Sequence, residues 1–224
     1  MSISLTKVLP CRACGAEIEA TSFESINPTR HPFLQDQLLE RSLLLRRCDR
    51  CGARHQHVDR LLWTDLPGRL CACVVQEEER PHWAQLAEEA RRALSVPLRA
   101  EGPPAVRRWG AQVAIRLVFG TEELREKVLC RLSGLDDRVV EYLKVTLIDR
   151  DRGVAPVLDR SDQTADLCFR FLDRDDPITL PRDRYRQAAA RTAELAAELP
   201  GLFDPDATWV HWGRALVRAD RTSR

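Results

Sequence analysis

Four of the eight cysteines in this 224-residue chain fall in two copies of one pattern, "CRACG" at 11–15 and "CDRCG" at 48–52. Thiolate sulfur is a soft donor suited to zinc, and a two-residue spacing lets one tight turn aim both sulfurs at one ion. The glycine after each pair supplies a backbone conformation closed to residues that carry a Cβ. Two such turns provide four thiolates, a full tetrahedral shell. Cys11, Cys14, Cys48 and Cys51 are therefore expected to hold one structural zinc ion, with no coordination position left for substrate or an activated water. The competing chemistry is a redox-active pair, which usually sits where a strand feeds a helix. Here "GAEIEATSF" after Cys14 alternates apolar and polar residues, and "GARHQHV" after Cys51 is extended in character. Both pairs precede strands, so zinc is the expectation.

Other reactive residues have quieter readings. His55 and His57 alternate along the second of these strands and read as exposed strand histidines rather than ligands. Cys71 and Cys73, in "RLCACVVQE", share one strand face and read as small buried side chains, as do the isolated Cys130 and Cys168. Asp136, Asp137 and Glu141 form an acidic cluster that could hold a divalent cation. The favoured reading makes Asp136 a helix N-cap, puts Asp137 at the positive end of the helix dipole, and pairs Glu141 with Lys144 on the solvent side. Arg46, Arg47, Arg50, Arg54 and Arg60 surround the second cysteine pair with only Asp49 and Asp59 in opposition. They suit phosphate recognition, but aromatic residues that could stack on bases are sparse there, and arginines also offset the net charge of about −2 on a zinc tetrathiolate.

Composition narrows the classes. With 35 basic and 34 acidic residues there is no global field to attract nucleic acid or an anionic membrane. No apolar run approaches the roughly 20 residues that span a bilayer, and the N-terminal stretch lacks the apolar segment of a secretory signal. A cytoplasmic protein without membrane association is expected, its cysteines reduced or metal-bound.

The elements that must position these residues follow from pattern and punctuation. Between the cysteine pairs, Pro32 introduces a helix with Leu34 and Leu38 one turn apart. "LLWTD" and "RLCACVVQE" read as strands about the turn "LPGR". A helix is expected from Pro81 to Pro97 with Trp83, Leu86, Ala87, Ala90 and Leu94 on one face, then a linker at "AEGPP" (100–104). Val113, Ile115, Leu117 and Phe119 alternate as a strand. Thr121 is expected to cap the helix that follows, and Ser133 and Gly134 to end it before a helix carrying Val140, Leu143 and Leu147. "ADLCFRFLDRDDPITLP" predicts a hairpin with Leu167, Phe169 and Phe171 inward. A helix from Pro181 to Leu199 and a last helix bearing Trp209, Trp212 and Leu216 complete the chain. The fold expected is α+β: a zinc-ribbon-like module with an inserted helix (1–79), a bridging helix and linker (80–104), and a mixed α/β domain (105–224).

The stretches "SINPTRHPFLQDQLLERSLLLRRCDRCG" and "LLWTD" resemble the CpXC domain, a prokaryotic family named for paired Cys-Pro-x-Cys motifs. "RLVFGTEELREKVLCRLSGLDDRVVEYLK" resembles the segment that follows it in many members. Arg12 and Asp49 stand where the motif has proline, a change that removes turn rigidity but no ligand. The resemblance implies a zinc-binding module and brings no catalytic residues to carry over. The function expected is a zinc-stabilised interaction or accessory protein that engages a protein partner through its second domain. The alternative is a nucleic-acid-binding zinc-ribbon regulator, and an enzyme built from residues scattered in sequence stays open.

Overall fold

The computed structural model describes residues 2–148, 155–161, 166–174 and 176–198. The chain is mixed α and β, and its contacts separate into two compact units, Met1–Arg125 and Glu126–Arg224.

In the first unit, β1 (Ile3–Pro10) and β2 (Glu17–Ile26) form a long antiparallel hairpin, and α1 (Pro32–Leu39) follows. Proline opens α1 because its missing N–H would lack an intrahelical partner there in any case, and Leu34 and Leu38 are its buried residues. A short antiparallel pair, β3 (Leu45–Arg47) and β4 (Arg54–Gln56), carries the second cysteine motif. The hairpin β5 (Leu61–Asp65) and β6 (Leu70–Val75) turns at "LPGR" as expected, with the Gly68 N–H donating to Asp65 Oδ1 at 3.0 Å.

The main sheet has the order β1-β2-β5-β6-β7, with β7 (Ala114–Phe119) parallel to β6 over six paired positions. This ladder makes β7 an edge of the first sheet, and the contacts divide the chain at 125/126. Parallel neighbours need a long crossover, here supplied by residues 77–110.

The crossover differs from the expected single helix and linker. A 3-10 turn (Glu77–His82) leads into α2 (Trp83–Ala90), and wider π-type turns continue from Arg91 to Glu101, with Pro97 inside them. Proline stops an α-helix through a clash with the carbonyl four residues back, and the wider winding relaxes it. A short helix, α3 (Pro104–Gly110), begins where a linker was expected. Gly110 is required there, because a Cβ would stand 2.2 Å from the Leu98 carbonyl oxygen. Leu94, Leu98 and Trp109 pack on buried Cys71, Val113 and Ile115.

The next helix, α4 (Gly120–Leu132), starts at Gly120, whose φ of +75° turns the chain. Thr121 lies within its first turn. Glu123 does the capping instead, its Oε2 accepting the Phe119 N–H at 2.9 Å.

The second unit packs α5 (Asp137–Leu147) against a three-stranded antiparallel sheet, β10-β9-β8 (Pro177–Leu180, Leu167–Arg170, Val157–Arg160). Its core joins Cys130, Val140, Leu158, Leu167 and Phe169. The hairpin β9–β10 is as expected, and β8 adds a third strand on the other side of β9. The helix expected after Pro181 is two, α6 (Arg182–Ala190) and α7 (Thr192–Glu198), with Leu195 buried beside Leu143 and Ala188. Leu199 and the helix of Trp209, Trp212 and Leu216 lie outside the described residues.

Candidate metal centre

Each cysteine motif closes the tip of a hairpin. The first bridges the terminal pair Pro10↔Glu17 and the second bridges Arg47↔Arg54, with six residues in each loop. The loops are locally the same object. The Cys11 N–H donates to Ala16 O at 2.7 Å and the Gly15 N–H to Cys11 O at 2.8 Å; Cys48 with Ala53 and Gly52 with Cys48 repeat both bonds, each at 2.8 Å. Gly15 and Gly52 have φ of +71° and +74°, the left-handed conformation that makes glycine the fitting residue in each turn.

Doubling the loop brings the four sulfurs together. The Sγ atoms of Cys11, Cys14, Cys48 and Cys51 all lie within 4.8 Å of one another. Cys11 and Cys51 stand 3.6 Å apart, Cys14 and Cys48 3.7 Å. Zinc–sulfur bonds of about 2.3 Å in a tetrahedron require sulfur–sulfur edges of about 3.8 Å, so the donor set fits a single ion. Cys11 and Cys48 are buried and pack with Ile18, Ala16 and Ala53, while Cys51 is exposed.

Four sulfurs this close cannot all ionise independently. Burial opposes charge on Cys11, but the Ala13 and Cys14 amides and the Cys14 and Cys51 thiols donate to its thiolate and lower its pKa to about 6. For Cys14 the Ala16 amide favours the thiolate, yet burial and the sulfurs of Cys11, Cys51 and Cys48 prevail and push it up to about 12. A bound cation reverses that conflict by favouring the thiolate at every ligand.

Two neighbours complete the surroundings. His55 Nε2 lies 3.1 Å from Cys11 Sγ. The ring is half-buried and stands beside a ligand, in contrast to the exposed strand position expected of it, because the pairing Arg46↔His55 turns it toward the first loop. His57 instead meets Asp59 Oδ1 at 3.1 Å. The Arg47 guanidinium lies over the second loop, its Nη2 3.2 Å from where a Cβ on Gly52 would stand.

The other arginines scatter. Arg60 binds Glu79 and Glu89, and Arg46 Nη2 donates to Thr21 Oγ1 at 2.9 Å. Of the remaining cysteines, Cys71 and Cys130 are buried and Cys73 is partly so. Burial raises Cys73 to about 11 and, with the Glu126 charge, raises Cys130 well above the ordinary thiol range, which keeps both protonated and unreactive.

The acidic cluster resolves differently from its expectation. Asp136 is the N-cap of α5, its Oδ1 accepting the Arg138 N–H at 2.9 Å, and the Asp136 N–H donates to Tyr185 Oη at 2.7 Å. Glu141 and Lys144, however, do not face solvent. They are 2% and 1% exposed and join Glu126 and Lys127 in a buried alternating quartet. Lys144 Nζ lies 3.0 Å from both Glu126 Oε1 and Glu141 Oε1; Lys127 Nζ is 3.1 Å from Glu126 Oε1 and also contacts Glu141 Oε1. Glu126 Oε2 accepts the Leu158 N–H at 2.7 Å. The (i, i+3) spacing of Glu141 and Lys144 was legible; the partners on α4 that let both be buried were not.

The fold and the four-sulfur cluster define a mixed α/β protein with a site fit for one tetrahedrally held metal ion. Residues 9–144 match the family model described as CpXC protein, and the chain belongs to that family. The match takes in both cysteine motifs and runs through most of α5, so all three stretches that resemble the family lie inside it. Arg12 and Asp49, where proline would stand, are exposed at the loop tips, and the loop hydrogen bonds form without it. No curated protein matches the chain. No solved structure matches it either. Among the described residues, no helix is long and apolar enough to cross a membrane.

Proposed function

We propose that Cys11, Cys14, Cys48 and Cys51 hold one zinc ion in a zinc-ribbon-like module, and that the protein is a zinc-stabilised accessory factor engaging a protein partner. The observation that carries the reading is the closure of the donor set: four sulfurs at tetrahedral spacing fill the shell of the ion and leave it structural rather than catalytic. The ribbon character is supported by two loops of the same hydrogen-bonding pattern, each at the tip of an antiparallel hairpin. Engagement of a partner, expected through the second domain, finds its support instead in the first unit, in β1, an end strand of the main sheet on which Ile3, Leu5 and Val8 are exposed. An apolar strand edge of this kind is a ready template for another chain.

Elemental analysis of freshly purified protein tests the metal, with one zinc per chain expected and less than one per ten chains for Cys48→Ser. Iron at that stoichiometry, or no transition metal, would refute the assignment. Native co-purification tests the role: a stoichiometric protein is expected, whereas nuclease-sensitive nucleic acid in its place would move the function to the nucleic-acid-binding alternative.

A further inference from the structure

Beside the metal loops a groove of about 370 Å³ runs between the β1–β2 hairpin and the β3–β4 pair. Its size lies within the range of about 300 to 1,000 Å³ typical of ligand sites. Besides Pro10, His55, Gln56 and His57, the residues lining it are aliphatic or cationic. Ile18, Ala20 and Leu44 are buried and, with half-buried Leu9, form an aliphatic floor. Arg12, Arg46 and Arg54 are exposed at its margin. No aspartate or glutamate lines it.

The arginines differ in how far they are already engaged. Arg12 has Glu78 at 3.7 Å, a long and exposed pair that contributes little. Arg46 is steadied by Thr21 Oγ1, a neutral acceptor that leaves its charge uncompensated, and Arg54 makes no ion pair among the described residues. The groove therefore pairs an apolar floor with arginines at its rim that have no close carboxylate partner among the described residues.

We infer that this groove is a docking site for an extended acidic-aliphatic peptide segment of a protein partner: aliphatic side chains on the floor of Ile18, Ala20 and Leu44, flanking carboxylates on Arg46 and Arg54. Arginine favours carboxylates through paired N–H donors, and exclusion of water by the aliphatic contact strengthens those bonds. A nucleic acid fits the same lining less well. The only aromatic rings in the lining are His55 and His57, each held through a ring nitrogen to Cys11 or Asp59, and an aliphatic floor gives no partner to a sugar-phosphate chain. The inference deepens the partner-engaging reading and rests on it, adding the place of contact and the chemistry recognised.

The test is fluorescence anisotropy of the full-length zinc-loaded protein with a fluorescein-labelled peptide of core Glu-Leu-Asp-Leu-Glu. Controls are Gln-Leu-Asn-Leu-Gln and Glu-Gly-Asp-Gly-Glu peptides. Saturable micromolar binding is expected, weakened about tenfold in each control and about five- to tenfold in Arg54→Gln and Arg46→Gln, and weakened further by salt. Zinc content and melting temperature of the variants, both expected to be unchanged, show that the loops are intact; Arg54→Lys, which keeps the charge, should recover part of the affinity. Absence of saturable binding, equal binding of the controls, or displacement of the peptide by a short oligothymidylate at equal concentration would each overturn the proposal. If a stoichiometric native partner is recovered and Arg46→Gln/Arg54→Gln protein retains it undiminished, the groove assignment alone fails. If no partner and no peptide binding are found, the accessory reading falls with it.

Discussion

Asp59 ties together groups far apart in sequence. It accepts hydrogen bonds from Lys7 Nζ on β1 at 2.9 Å and from Ser22 Oγ on β2 at 2.6 Å, with His57 at 3.1 Å. Burial opposes its charge, but the Ser22 and Lys7 hydrogen bonds and the charges of His57 and Lys7 prevail, lowering its pKa to about 2. A carboxylate with a depressed folded-state pKa stabilises the fold above its unfolded value and loses that contribution as pH falls through the folded one. Asp59→Asn should thus be less stable than the parent at pH 5–7, with the gap closing between about pH 4 and pH 2. Urea unfolding of both proteins across this range checks it. A gap that stays constant across the window would contradict the assignment. The partners lie 37 and 52 residues away from Asp59, so only the charge of this residue, not its network, could be read in the sequence.

Helices α4 and α5 carry a polar feature that would be costly if incomplete. Burial disfavours the Lys127 ammonium, yet Glu141, Glu126 and Asp137 outweigh it and hold its pKa well above the ordinary lysine value. Because the charges balance only as a set, removing one member leaves another buried and uncompensated. Lys144→Met should cost about 3–5 kcal/mol in denaturant unfolding of the second unit. Lys127→Met with Glu141→Leu should cost less than the sum of the two single changes, by about 1–3 kcal/mol. Additive losses would show that the quartet does not act as a unit. A second prediction at this scale concerns α3. Gly110→Ala forces a methyl against the Leu98 carbonyl and should destabilise the first unit by about 2 kcal/mol, read as a lowered urea midpoint. The helical spacing of Glu141 and Lys144 was plain from the chain alone, but whether that face met water or α4 was not, since both arrangements present the same period.

Across the whole molecule, the four clustered cysteines fall within Met1–Arg125, while Phe169 and its neighbours form a core within Glu126–Arg224. Stripping the ion with a strong chelator should abolish hydrogen-exchange protection at the amides of Cys11, Gly15, Cys48 and Gly52, whose partners are the loop carbonyls. Protection at β9, paired on both sides, should persist. Simultaneous loss at both places would show that the two units unfold together. The sequence by itself determined what is local: the twin loops, because the two-residue cysteine spacing and the following glycine dictate a turn; α1, because proline and leucine spacing dictate a start and a face; the β5–β6 hairpin, because its turn residues dictate a reversal. Tertiary structure alone decided what depends on partners distant in the chain. β7 pairs with β6 after a crossover of more than thirty residues, which makes it an edge of the first sheet. His55 reaches Cys11 across 44 residues, and Glu141 and Lys144 are buried because α4 brings opposite charges to meet them. Periodicity records which residues share a face of an element; burial and charge compensation depend on what that face packs against, and that information resides in no single segment.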